Sequence, residues 1–257
     1  MATCELEWNV NARDMQAVIK VLDALVDEAK LVFDTNGMHI RTVDDAHVAM
    51  VQIEIEPAFF EKLNVSDTET IGVDITKMKE ILKLCNTTKE KADIIKFRLD
   101  TDINRLVYQV GYNEGKISLV DTTGMSEPRP PELKLPAKFT IKTNDLVKIL
   151  KRADCLSEHV SIEIEDDMVI IRAEGATDTA TAKLTENNEA LICVEGENCK
   201  SVFSLHYLSD MIKAAKGQAE EISFNIGTNY PIKITYKIGQ DDAGKVTYLL
   251  APRVEND

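Results

Sequence analysis

Two pairs of adjacent carboxylates, Asp44–Asp45 and Asp166–Asp167, and one cysteine–histidine pair, Cys155 and His159, are the groups in this sequence whose types could perform catalysis. A carboxylate pair supports general acid–base chemistry when both groups converge on one reacting atom. Neighbouring residues of a strand point to opposite faces, however, and acidic pairs favour turns. Cys155 and His159 are one helical turn apart, but nucleophilic catalysis also needs a group that orients the base and donors for the oxyanion. No such group accompanies them. The four histidines (His39, His47, His159, His206) have no HExxH or other ligand spacing, and the five cysteines form no CxxC pair. No metal, no disulfide framework and no other cofactor is expected, and the thiols are expected to be mostly buried. No glycine-rich phosphate loop is present. These residues argue against an enzyme.

The cations carry a different chemistry. Lys20, Lys83, Lys151 and Lys213 each stand five residues after the first member of an apolar quartet spaced 0, +3, +4 and +7. The quartets are Met15-Val18-Ile19-Leu22, Met78-Ile81-Leu82-Cys85, Leu146-Ile149-Leu150-Ala153 and Leu208-Met211-Ile212-Ala215. Such spacing marks one face of a helix. At 100° per residue, step +5 falls about 140° from the start of the stripe, on the opposite face. Arg13, Lys148 and Arg152 join the four lysines there, with Lys77, Lys79 and Lys216 on the flanks. Residues 11–24, 74–86, 143–155 and 205–217 together hold 10 basic and 7 acidic side chains, whereas the remaining 204 positions hold 20 and 37. In a chain of net charge −14, basic stripes on four helices are the footprint of a polyanion. Lysine neutralises phosphate without reading bases. The stripes lack Arg, Asn and Gln clusters for base edges and aromatic platforms for single strands. The expected ligand is therefore duplex backbone, contacted without sequence preference in a lined channel.

The elements that must position these lysines repeat along the chain. The quartets start 63, 68 and 62 residues apart, so four similar units fill 257 residues. Between them the periodicity falls to two. Leu31–Phe33 and Met38–Ile40 read as a hairpin turning at Asn36–Gly37, and Val160–Ile164 with Met168–Ile171 as one turning at Asp166–Asp167. Val51–Glu56, Ile94–Leu99 and Ile232–Tyr236 alternate as half-buried antiparallel strands do. Residues 14–56 align with 145–187 at a constant offset of 131. The expected fold is α+β: two similar domains of antiparallel sheet, each with two short helices and eight or nine strands. The domains are expected at 1–120 and 137–257, joined by a connector at 121–136. Within it, Asp121–Leu133 holds three of the seven prolines. No stretch approaches the ~20 apolar residues that cross a bilayer, and no leader pattern opens the chain. An intracellular protein without membrane contact is expected.

Val43-Asp44-Asp45-Ala46-His47-Val48-Ala49-Met50-Val51-Gln52, Tyr207-Leu208-Ser209-Asp210-Met211 and the tail Tyr248-Leu249-Leu250-Ala251-Pro252-Arg253-Val254-Glu255 strongly resemble the proliferating cell nuclear antigen family of sliding clamps. The tail resembles archaeal members more than animal ones. The resemblance spans essentially the whole chain. It implies the DNA clamp fold, with three protomers joined head to tail in a ring around double-stranded DNA, or one subunit of a mixed ring of three different chains. It further implies subunit edges near residues 107–119 and 174–184, and residence with chromosomal DNA. Implied partners are DNA polymerase, the clamp loader, a flap nuclease and DNA ligase, docked through a hydrophobic peptide pocket. The positions that match the family's pocket are Val43, His47, Val48, Met50, Met125, Pro231, Leu249, Ala251 and Pro252. Leu249 stands where many relatives carry an aromatic residue, which alters the pocket's shape.

Overall fold

Strands with alternating burial and helices with one buried stripe follow each other in the same order twice. The computed structural model describes residues 6–125 and 127–253; Cys4 and the tail residues Val254 and Glu255 lie outside the described residues. The first half runs β1 (Leu6–Asn11), α1 (Ala12–Asp23), β2 (Glu28–Asp34), β3 (Gly37–Val43), β4 (Ala49–Ile55), β5 (Phe60–Val65), β6 (Glu69–Asp74), α2 (Ile75–Lys83), β7 (Ile94–Asp100), β8 (Arg105–Val110) and β9 (Asn113–Ser118). The second runs β10 (Ala137–Lys142), α3 (Thr143–Ala153), β11 (His159–Glu165), β12 (Met168–Glu174), β13 (Thr179–Leu184), β14 (Leu191–Gly196), β15 (Cys199–Ser204), α4 (Leu205–Ala215), β16 (Glu221–Ile226), β17 (Ile232–Ile238) and β18 (Gly244–Leu250). Strand order is β5-β1-β7-β8-β9 and β4-β3-β2-β6 in the first half, and β14-β10-β16-β17-β18 and β13-β12-β11-β15 in the second. The α+β reading, nine strands and two helices to a half, is the observed architecture.

By compactness the chain forms two units that interleave in sequence. One comprises the residues up to Asp45, Val51–Pro128 and Lys237–Val246; the other comprises Ala46–Met50, Arg129–Tyr236 and the residues from Thr247 onward.

The repeat reaches into the backbone. The β1–β5 ladder shifts register between Asn9 and Val10, and the β10–β14 ladder shifts between Thr140 and Ile141, 131 residues later. Each shift leaves one extra residue on the edge strand, Glu61 of β5 and Ile192 of β14, a bulge that bends that strand opposite the end of β1 or β10. Helix entry is also matched: the Ala12 amide donates to the Asp93 carbonyl at 2.8 Å, and the Thr143 amide to the Glu220 carbonyl at 2.9 Å. Trp8 stacks on Phe97 across β1 and β7 with centroids 4.9 Å apart, and Phe139 on Phe224 across β10 and β16 at 4.6 Å. Such buried aromatic pairs add about 0.5–1.5 kcal/mol beyond their area. Helix α1 packs on α2, and α3 on α4.

Two sequence expectations need correction. The first hairpin turns at Thr35–Asn36, not at Asn36–Gly37, because β2 and β3 pair Asp34 with Gly37. That register sets Phe33 against Met38 and Leu31 against Ile40, all four buried. Turning one residue later would put Met38 opposite Thr35. Gly37 instead takes φ +126° and lies so close to the Ile55 carbonyl that a Cβ would overlap its oxygen. The cysteines are also less buried than expected: of the four described, Cys199 is buried, Cys85 and Cys193 half-buried and Cys155 exposed. The second hairpin does turn at Asp166–Asp167, both at positive φ (47° and 61°), as a mirror-image two-residue turn requires. We expect Gly37→Ala to cost about 2–3 kcal/mol from backbone overlap and strain. Asp167→Gly should gain up to about 1 kcal/mol by relieving the left-handed conformation. Thermal unfolding of the two variants should shift in opposite directions.

Candidate functional site

The four apolar quartets face inward, with Cys85 and Ile149 half-buried and every other member buried. Burying that stripe fixes each helix's rotation about its axis, and Lys20, Lys83, Lys151 and Lys213 are all exposed as a result. All four stand in the last turn of their helix, where a cation also complements the negative end of the helix dipole. Caps set where two helices begin: Asn11 Oδ1 accepts from the Arg13 amide at 2.9 Å, and Asp74 Oδ1 from the Lys77 amide at 3.0 Å. The Lys77 amide bond is the first cause holding the Asp74 carboxyl below its usual value.

Of the flanking cations, Lys77, Lys148, Arg152 and Lys216 are exposed, and Arg13 and Lys79 half-buried. Lys79 reaches Asp23 at 2.8 Å and Lys148 reaches Asp145 at 2.9 Å. Partial burial, and then the charge of Arg13, push the Lys20 ammonium below its ordinary value.

The residues matched to a peptide pocket divide between the compact units. In the second unit, His47 and Val48 are exposed and Met50 is buried, while Pro231, Leu249, Ala251 and Pro252 are half-buried. Here the structure joins two segments far apart in sequence, since the Ala251 amide donates to the Val48 carbonyl at 2.8 Å. His47 holds φ +56°, a left-handed turn conformation that lifts Val48 into solvent, 37% exposed. In the first unit, Val43 ends β3 half-buried. Met125, also half-buried, closes a turn in which Asp121 Oδ1 accepts from the Thr123 amide at 2.9 Å and the Met125 amide donates to the Thr122 carbonyl at 3.0 Å.

Two features were not visible in the sequence. Glu127 of the connector pairs with Lys30 of β2 at 2.6 Å, across a cavity of about 140 Å³ lined in part by His39, Arg41, Gln52 and Glu54. Arg253, just past the matched Pro252, meets Nε2 of His159 over an open cleft of about 520 Å³. That contact engages the one histidine whose spacing from a cysteine could have made it a catalytic base. Cys155 Sγ is directed to the Lys151 carbonyl at 3.6 Å. Local periodicity carries no signal for pairs separated this far along the chain.

Of the acidic pairs, Asp44 is buried and Asp45 exposed, and Asp166–Asp167 form the hairpin turn. Among the described residues no cluster of three His, Cys, Asp or Glu side chains could hold a metal ion, and no helix is long and apolar enough to cross a membrane.

Family models for "Proliferating cell nuclear antigen, N-terminal domain" and "Proliferating cell nuclear antigen, C-terminal domain" match residues 6–122 and 130–253. The DNA polymerase sliding clamp of Methanococcoides burtonii is 36% identical over 249 residues, 96% of this chain and 98% of that protein. The sliding clamp of Archaeoglobus fulgidus is 34% identical over 244 residues, 95% of this chain and 96% of its own. A solved structure of A. fulgidus PCNA with the C-terminal region of FEN-1 superposes with a TM-score of 0.88 at 32% identity, covering 98% of this chain and 100% of the other.

The tether at Glu127 has a titration signature. The Lys30 hydrogen bond, then the Lys30 charge, lowers its carboxyl from the ordinary 4.5. A carboxyl lowered on folding stabilises the folded state fully above its unfolded value, and that contribution fades as pH falls through the lower, folded one. Carbon-13 NMR of the side chain should give a Glu127 midpoint below 4.5 that returns toward 4.5 in Lys30→Met. An unchanged midpoint would separate the connector from Lys30.

Proposed function

The chain belongs to the proliferating cell nuclear antigen family of DNA polymerase sliding clamps, and we propose that three copies of it close head to tail into a ring around duplex DNA. The observation that carries this reading is the shared phase of Lys20, Lys83, Lys151 and Lys213, exposed on every helix of a chain whose other surfaces are acidic. Twelve such helices lining a hole would meet phosphates in all directions, and the acidic exterior would repel them. Contact of this kind holds DNA by topology rather than affinity, and the protein contributes tethering without chemistry of its own.

The edges support closure. β9 and β13 each end a sheet, and an unpaired edge is a template for another strand. Pairing β9 of one copy with β13 of the next is a heterologous contact, which yields a ring when its rotation closes. Tyr108 stands opposite Gly115 in β8 and β9, and its ring occupies the space where a Cβ on Gly115 would lie. The aromatic ring thereby covers an edge strand that has few large side chains of its own.

The docking surface is the second part of the proposal. Val48, Leu249, Ala251 and Pro252, with Val43, His47, Met50, Met125 and Pro231, would take an apolar peptide anchor from a polymerase, clamp loader, nuclease or ligase. The A. fulgidus relative is bound to the C-terminal region of FEN-1, so a flap-nuclease terminus is the natural first probe.

Light scattering should give the mass of three chains. A stable single chain at micromolar concentration would defeat the ring, and a three-chain mass reached only with a different clamp subunit would assign a mixed ring. Replacing Lys20, Lys83, Lys151 and Lys213 together by alanine should preserve that mass and lower clamp-stimulated DNA synthesis. The salt slope of duplex binding should become shallower by about 0.9 for each phosphate that the variant no longer neutralises. Met50→Ala with Leu249→Ala should weaken a nuclease C-terminal peptide roughly tenfold or more in calorimetry, as removal of central apolar anchors does, with little effect on mass.

A further inference from the structure

The four equivalent lysines divide into two classes. Lys83 of α2 pairs with Glu80 at 2.5 Å, and Lys213 of α4 pairs with Asp210 at 3.1 Å, each acid standing three residues before its lysine. Lys20 of α1 and Lys151 of α3 form no ion pair with any described residue. The sequence accounts for the split. Two residues after the start of each apolar quartet stand Ala17 in α1, Glu80 in α2, Lys148 in α3 and Asp210 in α4. That position lies about 60° around the helix from the lysine; Glu80 and Lys148 are exposed and Asp210 half-buried there, whereas Ala17 of α1 is fully buried. The second helix of each half thus pairs its lysine with an acid three residues earlier. In the first helix the nearest acid stands three residues later, Asp23, which Lys79 takes at 2.8 Å, and Asp154, neither of them paired with the lysine.

We propose that α1 and α3 are the helices that hold duplex backbone, and that Glu80 and Asp210 damp α2 and α4, so that the ring touches DNA strongly at one helix per half and weakly at the other. This rests on the lysine-lined ring proposed above and names which of its cations act. An exposed pair three residues apart is worth well under 1 kcal/mol, so phosphate can displace the carboxylate. The displaced acid then stays beside the DNA and repels it, leaving little net gain from the exchange. Lys151 has Arg152 beside it, also without an ion pair among the described residues, which strengthens α3 further. Glu80 and Asp210 are positioning residues in this scheme, and their effect is to keep the grip light enough for sliding.

The test measures binding of a short linear duplex of arbitrary sequence between about 50 and 200 mM salt, where each neutralised phosphate steepens the fall in affinity by about 3.5-fold. Light scattering on every variant confirms an unchanged assembly. Glu80→Gln with Asp210→Asn should steepen the salt dependence by at least one such factor. Lys20→Ala with Lys151→Ala should flatten it by at least one factor, and Lys83→Ala with Lys213→Ala by less than half as much. Equal flattening by the two lysine pairs, or no change in the carboxylate variant, would overturn the assignment while leaving the lysine-lined ring standing. If neither lysine pair alters the slope of an intact assembly, the lining itself is wrong and this assignment fails with it.

Discussion

Burial of a helix's apolar stripe is the constraint on which the rest of this molecule depends. A stripe of Met15, Val18, Ile19 and Leu22 can leave water only when the helix is rotated to one angle. Once that angle is set, the orientation of every other side chain on the helix follows. Lys20 is exposed because Val18 and Ile19 are buried, not because any interaction holds it outward. The same constraint acts on α2, α3 and α4, so the protein presents ammonium groups at four places without a dedicated scaffold for any of them. Each fully buried Met, Val, Ile or Leu is worth about 1.5–3 kcal/mol, far more than any exposed ion pair. The packing energy therefore dictates where the charges go.

This also explains what could be read from the residues alone. Stripe positions, strand alternation and the 131-residue offset are local or periodic, and each was visible in the order of residue types. The turn at Asp166–Asp167 was legible because two short acidic side chains tolerate positive φ. The neighbouring case at Asn36–Gly37 misled because the register was decided elsewhere, by the partnering of Phe33 with Met38 and by the backbone of Ile55 pressing on Gly37. The Lys30–Glu127 pair, the Ala251–Val48 hydrogen bond and the Arg253–His159 contact join positions far apart in sequence, where no periodicity reaches. The interleaving of Ala46–Met50 and Lys237–Val246 between the compact units is illegible for the same reason.

Electrostatics here work by subtraction as much as by addition. A net charge of −14 would repel a polyanion from nearly every direction, so the few places where cations stand without carboxylates acquire a significance that their number does not suggest. Lys20, Lys151 and Arg152 matter less for being basic than for lacking an Asp or Glu one turn earlier on the outer face. A simple count of lysines would rank α1, with one, below α2, with three. Pairing changes that order, because Asp74, Asp23 of α1 and Glu80 take all three lysines of α2, while Lys20 has no ion pair among the described residues.

The paired bulges at Glu61 and Ile192, again 131 residues apart, also tie the two halves together. Side chains in the two halves have diverged far enough that Trp8 answers to Phe139, and Ala12 to Thr143. An extra backbone residue is harder to lose, because removing it turns every later side chain of the strand to the other face. The irregularity is thus common to the two halves at a place where the side chains around it differ.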